Sequence, residues 1–173
     1  MEDKELAEKP SGLSRETFLK VYGGIYEHSP WVAETVYDDK DNGDMDTVLK
    51  LFAAMRLAVD MADHGMQLSL VRAHPELACS PADMAKMAAA SVTEQQSAGL
   101  HQCTPEEFEE FKRLNAAYKE KFGFPFVIAV KGLYKNDILD AFRSRMHNDT
   151  DTEFQNALVQ IHKIARLRLE ALA

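Results

Sequence analysis

The 173-residue sequence has few cysteines and no long apolar run. Its only two cysteines, Cys79 and Cys103, lack CxxC or zinc-type spacing, so we expect neither a disulfide framework nor a structural metal site, which is typical of a reducing compartment. No apolar run approaches the roughly 18–20 residues of a membrane span, and the start MEDKELAEKPSG has no hydrophobic centre of a secretory signal. These absences predict a cytoplasmic protein that does not associate with membranes.

Basic residues are also scarce relative to acidic ones. The 20 basic and 28 acidic residues give a formal net charge of -8. This charge argues against a nucleic-acid-binding surface, because such surfaces use basic residues to neutralise phosphates. The GxSxG, P-loop, HExxH and GxGxxG motifs are missing as well. A small polar or anionic ligand stays possible, since one buried arginine can bind it.

Capping signals in the sequence indicate where several helices begin. Ser or Thr followed by proline, the N-cap and first-turn pair of a helix, occurs at Ser29, Ser80 and Thr104. The third helix also has Glu107 as a capping-box partner and Gly123 beyond its end. Further helices are expected in SRETFLKVYGGIYEH, in MDTVLKLFAAMRLAVDMADHGMQLSLVRAH with a break near Gly65, and at the C-terminus.

Only one segment, FPFVIAV at residues 124–130, has the composition of a strand. A single strand has nothing to pair with, so we expect it to be extended or irregular. The predicted fold is therefore all-α, a single-domain bundle of roughly eight or nine helices. We expect residues 1–12 to form a flexible tail and residues 13–173 to form the domain.

The C-terminal helix places one arginine among apolar residues. On a helical wheel Arg168 lies between Ile161 and Ile164, whereas Lys163 and Arg166 point away. One hypothesis is that the Arg168 stem packs while its head reaches water near the helix end. The other is that Arg168 points into a pocket and binds a planar or anionic substrate.

Glu94 and His74 each have a structural and a functional interpretation. Ser91 and Glu94 have the spacing of a capping box; if Ser91 is instead inside a helix, Glu94 and Gln95 are available to a ligand. His74 precedes a proline and can simply end a helix. The other histidines show no ligand spacing and the two cysteines resemble small buried apolar residues, so we assign neither group a catalytic role.

Taken together, five blocks resemble the 2-oxo-4-hydroxy-4-carboxy-5-ureidoimidazoline (OHCU) decarboxylase family. They are EHSPWVAE (27–34), RAHPELA (72–78), SVTEQQSAGL (91–100), EFKRLNAAYKEKFGFPFVIAVKG (110–132) and TEFQNALVQIHKIARLRL (152–169). The resemblance implies a cofactor-free, all-helical homodimer that decarboxylates OHCU to (S)-allantoin in urate breakdown.

By this resemblance the catalytic residues are His74 as acid or base, Glu94 orienting the substrate and Arg168 stabilising charge. Substrate-binding positions fall on Pro75, Ser91, Val92, Thr93, Glu94, Gln95, Phe126, Val127, Ile128, Ala129 and Val130, and the FPFVIAV segment is expected near the active site. Two alternatives stay open: a non-catalytic helical binding module, and a hydrolase acting on a related ureido compound. The binding module predicts scattered His74, Glu94 and Arg168 side chains, whereas the decarboxylase predicts that they converge.

Overall fold

Helices dominate the residues that the computed structural model describes, which are 3–39, 44–78 and 80–173. Within these ranges the nine α-helices are α1 (Arg15–Tyr22), α2 (Trp31–Asp38), α3 (Val48–Asp60), α4 (His64–Ala73), α5 (Pro81–Met84), α6 (Ala89–Ser97), α7 (Pro105–Phe122), α8 (Lys135–Arg145) and α9 (Thr150–Glu170). The same residues contain no β-strand, only an isolated bridge between Glu5 and Thr47. The all-α prediction with eight or nine helices is confirmed.

The ends of α7 follow its local sequence. The Thr104 hydroxyl accepts the N–H of Glu107, and the Glu107 carboxylate accepts the N–H of Thr104, so both halves of the predicted capping box are present. Gly123 ends the helix with φ 79°, a left-handed conformation that glycine adopts without Cβ strain. These signals therefore fix α7 before any tertiary contact is considered.

Two other predicted helices differ in extent. The Ser80 hydroxyl accepts the N–H of Asp83 as expected, but α5 ends after a single turn at Met84. At the predicted start at Ser29, the N-cap residue of α2 is Pro30, and no side chain caps the helix. The long upstream stretch breaks between α3 and α4, just before Gly65, as predicted.

The first of two compact units comprises Met1–Ala73 and Ile161–Ala173. Helix α2 packs against both α1 and α3. The buried apolar side chains of these three helices are Phe18, Tyr22, Val32, Ala33, Val36, Val48, Leu51, Met55 and Val59. This repeat of buried positions three and four residues apart is what an amphipathic helix requires.

The described residues ahead of position 13 make specific contacts within this unit. The Leu6 N–H donates to the Asp46 carbonyl at 2.9 Å, and the Ala7 N–H donates to the Leu172 carbonyl at 3.0 Å. The Leu6 side chain is buried. The domain boundary at residue 13 and the mobility of the tail stay predictions, and these hydrogen bonds are what such mobility would have to break.

The second unit is His74–Gln160. Helix α7 packs against α8, and the aromatic rings between and beside them are Tyr118, Phe122, Phe124, Phe126, Phe142 and Phe154. Residues 125–130 contain neither helix nor strand, as predicted for the FPFVIAV segment. Every residue from Phe124 to Val130 is buried except Ile128, which is half-buried.

The cysteine prediction needs a correction. Cys103 is disulfide-bonded, so the expectation that this chain carries no disulfide is wrong. The spacing of two cysteines along a chain does not reveal how close the fold brings them, which explains the error. Cys79, the other cysteine, lies outside the described residues. None of the described helices is long and apolar enough to cross a membrane.

Candidate active site

His74 lies at the first position after α4, which ends at Ala73. The side chain is half-buried, and Pro75 follows it. A residue before proline is disfavoured in the α conformation, so the end of the helix at this point is a local effect. The prediction that His74 terminates a helix is confirmed, and the residue opens a loop that runs through Ala78.

Two buried amides hold this loop. The Gln95 Oε1 atom accepts the Ala78 N–H at 2.8 Å, and Gln95 Nε2 donates to the Glu76 carbonyl at 3.2 Å. Asn115 Nδ2 donates to the Leu77 carbonyl at 2.8 Å. Because these groups satisfy loop backbone that is not paired in a helix or strand, they fix the conformation of the chain that follows His74.

Helix α6 presents Glu94 from its interior, not from a cap. The helix starts at Ala89 with Ala88 as its N-cap residue, so Ser91 is the third helical residue and not the N-cap residue. The capping-box interpretation of Ser91 and Glu94 is therefore wrong, because alanines with high helix propensity precede the serine and let the helix begin before it. Along α6 Ser91 and Gln95 are buried, Val92 and Glu94 half-buried and Thr93 exposed.

The predicted substrate segment is held by side chains in place of a sheet. The Arg145 Nη1 atom donates to the Val127 carbonyl at 2.7 Å, and the Ala129 N–H donates to Gln160 Oε1 at 3.0 Å. The guanidinium of Arg145 also lies 4.3 Å from the centroid of the Phe126 ring. Sequence patterns did not indicate either partner, since Arg145 and Gln160 are separated from the segment by 18 and 31 residues.

A buried carboxylate orients Arg145. Glu153 is fully buried and accepts hydrogen bonds from Tyr118, Arg145 (Nε, 3.0 Å), Asn148 (2.8 Å) and Asn156 (2.8 Å). Burial raises the pKa of Glu153, but these donors outweigh it and hold the pKa below its ordinary value. Glu153 therefore stays ionised and keeps the Arg145 charge compensated.

Arg168 is buried in the first unit. Its Nη2 atom donates to Glu27 Oε2 at 3.1 Å, and Nη1 donates to the backbone carbonyls of Gly24 and Ile25 at 3.5 and 3.4 Å. The side chains of Arg168 and Glu27 are 7% and 3% exposed, so the hypothesis that the arginine head reaches water is wrong. Glu27 opens the EHSPWVAE block, but nothing in the local pattern marks it as the arginine's partner.

A second buried polar group in the first unit is His162. Its Nδ1 atom lies 2.7 Å from the Tyr26 hydroxyl and its Nε2 atom 3.2 Å from Asp60 Oδ1. Burial lowers the pKa of His162 below its usual value, although Asp60 opposes this effect. The group is thus a buried histidine that resists protonation.

The lowered pKa of His162 predicts that the stability of the protein depends on pH. A folded-state pKa below the unfolded value of about 6.5 means that the unfolded chain binds the proton more readily. The contribution of neutral His162 to the free energy of unfolding is therefore complete above that pH, and it declines as the pH falls from about 6.5 toward the folded-state pKa. Melting temperatures from pH 7.5 to 5 should fall for the wild type and fall less for His162→Gln. Exposed His147→Gln is the control and should retain the wild-type slope; equal slopes for His162→Gln would contradict this account.

A cavity of about 770 Å³ opens in the second unit beside the loop that follows His74. Its lining residues are Pro75, Glu76, Leu77, Ala78, Asp83, Lys86, Met87, Phe108, Phe111, Lys112, Asn115, Ala116 and Lys119. Pro75 is the single predicted site residue in this lining, and His74 and Glu94 do not contribute. The cavity is therefore lined by side chains of this unit other than His74 and Glu94.

The predicted site residues thus lie in three parts of the structure, each held by different contacts. The His74 loop and α6 are joined by the hydrogen bonds of Gln95, and segment 126–130 is held separately by Arg145 and Gln160. Arg168 belongs to the other unit. Among the described residues, no group of three or more His, Cys, Asp or Glu side chains is arranged to hold a metal ion.

Comparison with known proteins supplies the chemistry. The 2-oxo-4-hydroxy-4-carboxy-5-ureidoimidazoline decarboxylase of Haloferax volcanii is 42% identical over 91% of this chain and 89% of the relative. The uric acid degradation bifunctional protein PucL of Bacillus subtilis is 40% identical over 91% of this chain, but the match covers 30% of PucL. These relatives make the chain a carbon–carbon lyase of the carboxy-lyase class.

Solved structures share the fold of this chain. A crystal structure of (S)-allantoin synthase matches with a TM-score of 0.74 and 34% identity, over 94% of this chain and 52% of the other, so this chain spans about half of that protein. A crystal structure of OHCU decarboxylase in the presence of (S)-allantoin matches at 20% identity with a TM-score of 0.65, which supports the fold. The chain belongs to the OHCU decarboxylase family, whose model matches residues 11–170.

Proposed function

We propose that the protein converts OHCU to (S)-allantoin without a cofactor, using His74, Glu94 and Arg168. Its membership of the OHCU decarboxylase family over residues 11–170 is the observation that carries this proposal. Decarboxylation in urate degradation follows from the family. The residue roles, the stereochemical outcome and the assembly are the parts that the experiments below address.

The substrate supplies its own electron sink. It carries a C=N bond beside the carbon that bears the hydroxyl and the carboxylate. When the bond to the carboxylate breaks, carbon dioxide leaves and the electron pair flows into this C=N bond, whose nitrogen takes up a proton. The hydroxyl then loses its proton and becomes the carbonyl, while the neighbouring carbon gains a proton on one face. Delivery to a single face sets the (S) configuration.

The side chains divide this work. His74 takes the hydroxyl proton or orients the hydroxyl, because imidazole titrates near the working pH. Glu94 hydrogen-bonds the hydroxyl or a ring N–H and so fixes the reactive orientation. Arg168 holds an oxygen of the heterocycle or ureido group and stabilises the negative charge that develops. The amide of Gln95, next to Glu94, is used by the loop, so its contribution is to hold the Pro75–Ala78 backbone.

Segment 126–130 binds the heterocycle through its backbone. Phe126, Val127, Ala129 and Val130 are buried, whereas Ile128 is half-buried. The Ile128 N–H and C=O have no hydrogen-bond partner among the described residues. One donor beside one acceptor complements the C=O and N–H groups of a ureido-type edge. Ile128 is therefore the residue of the segment whose backbone hydrogen-bonds the substrate.

The assembly and location belong to the same proposal. The protein acts as a homodimer in the cytoplasm, with OHCU as its small-molecule ligand. Sedimentation equilibrium of the purified chain tests the dimer, and a sedimenting monomer at micromolar concentration would contradict it. The disulfide-bonded Cys103 removes cysteine usage as an argument for the cytoplasm, so cell fractionation decides the location.

The reaction is tested by generating OHCU from urate in situ with the two upstream enzymes. The optical activity of the allantoin formed is followed with and without the protein, because OHCU also decays spontaneously to racemic allantoin. Rapid, protein-dependent formation of the (S) enantiomer is expected. Racemic product at the background rate from a folded sample would contradict the proposal and favour a non-catalytic helical binding module.

A further inference from the structure

Residues 125–130 form neither a helix nor a strand, so their backbone groups need other partners. Two of them are found on side chains of α8 and α9. The Val127 carbonyl accepts from Arg145, and the Ala129 N–H donates to Gln160. Arg145 and Gln160 both belong to the same unit as the segment. The carboxamide and the guanidinium thus satisfy backbone groups that have no partner in a helix or strand.

The two anchors lie on either side of Ile128 in the sequence. Arg145 holds the Val127 carbonyl and Gln160 holds the Ala129 N–H, whereas the Ile128 N–H and C=O have no hydrogen-bond partner among the described residues. Ile128 is also the half-buried member of a segment that is otherwise buried.

We propose that Gln160 is a positioning residue that, together with Arg145, fixes the backbone edge of Ile128 for substrate binding. This inference rests on the proposed function, because it assigns Gln160 the task of holding the residue that reads the substrate. Gln160 acts through Ala129 and does not touch the substrate. Arg145 is itself fixed by the fully buried Glu153, so a substitution at Gln160 changes one anchor and leaves the other in place.

The substitution Gln160→Met separates this role from packing. Methionine has a similar length but no strong hydrogen-bond acceptor, whereas Gln160→Glu keeps an acceptor in place. Gln155, an exposed glutamine on the same helix, provides the matched control Gln155→Met. We expect the KM of Gln160→Met for OHCU to rise roughly 3–10-fold with kcat changed less than about twofold, as when one binding contact is loosened. Gln160→Glu and Gln155→Met should retain the wild-type KM.

Amide exchange gives a readout that does not depend on turnover. The Ala129 amide should exchange faster in Gln160→Met than in the wild type, and exchange in Gln160→Glu should remain slow. Wild-type KM in Gln160→Met, or a KM that rises equally in Gln160→Glu, would overturn the positioning role. An inactive wild-type protein would instead overturn the proposed function, and unchanged Ala129 exchange in Gln160→Met would overturn the clamp itself.

Discussion

Replacing His74 with asparagine should reduce kcat for OHCU by about 10²–10⁴-fold, the usual contribution of a general acid or base. Asparagine keeps a polar side chain of moderate size before Pro75 but cannot exchange a proton near neutral pH. The hydrogen bonds that Gln95 and Asn115 make to residues 76–78 do not involve the His74 side chain. The helical circular-dichroism signal should therefore stay at the wild-type level while turnover is lost.

The exposed His147 offers a matched control for this experiment. His147→Asn changes the same chemical group outside the predicted site and should turn over at the wild-type rate. Both variants are compared by initial rates and by the enantiomeric excess of allantoin. A His74→Asn protein that forms (S)-allantoin at the normal rate would remove His74 from the mechanism.

Replacing Glu153 with glutamine should lower the free energy of unfolding by about 3–5 kcal/mol, the cost of leaving a buried charge without its partner. Glu153 is fully buried, its Oε2 atom lies 2.9 Å from Arg145 Nη2, and Tyr118, Asn148 and Asn156 also donate to it. Glutamine carries no charge and offers one acceptor oxygen in place of two. The loss is measured by urea unfolding at pH 7.

The lowered pKa of Glu153 also gives this effect a pH dependence. Its stabilising contribution is complete above the unfolded-state pKa, near 4.5, and is lost as the pH falls through the folded-state pKa. The difference between wild type and Glu153→Gln should therefore shrink below about pH 4. Asp140, which pairs with Arg143 and is 80% exposed, supplies the control: Asp140→Asn should change stability by less than about 1 kcal/mol. Equal effects of the two substitutions would contradict a special role for the buried pair.

Local signals predicted the helices well. The Thr104–Glu107 box, the Gly123 terminus and the break before Gly65 each depend on residues within one or two turns, and each matches the structure. Where such a signal failed, a competing local preference explains it: the Ser91 and Glu94 spacing is that of a capping box, but the preceding alanines extend α6 past Ser91. Helix existence was thus more predictable than helix boundaries.

The partners of the buried polar side chains were not predictable in this way. Arg168 was identified as costly to bury from its position on the wheel, but its carboxylate partner Glu27 lies 141 residues away. His162 and Asp60 are separated by 102 residues. Amphipathic periodicity reports that a position is buried and carries no information about which distant side chain compensates its charge. The candidate site could therefore be named from motifs, whereas the residues that hold it required the structure.

The two hydrogen bonds from Gln95 to the loop that follows His74 restrict how the length of the chain can vary. Glu94 and Gln95 are consecutive in α6, and each residue in a helix is rotated by about 100° from the last. One residue inserted between Ser91 and Gln95 would turn the Gln95 amide away from the Ala78 N–H and the Glu76 carbonyl. It would also turn Ser91 away from the face that it shares with Gln95. Homologous chains can therefore differ in composition along this turn, but we expect insertions and deletions to be confined to the residues between Ala78 and α6.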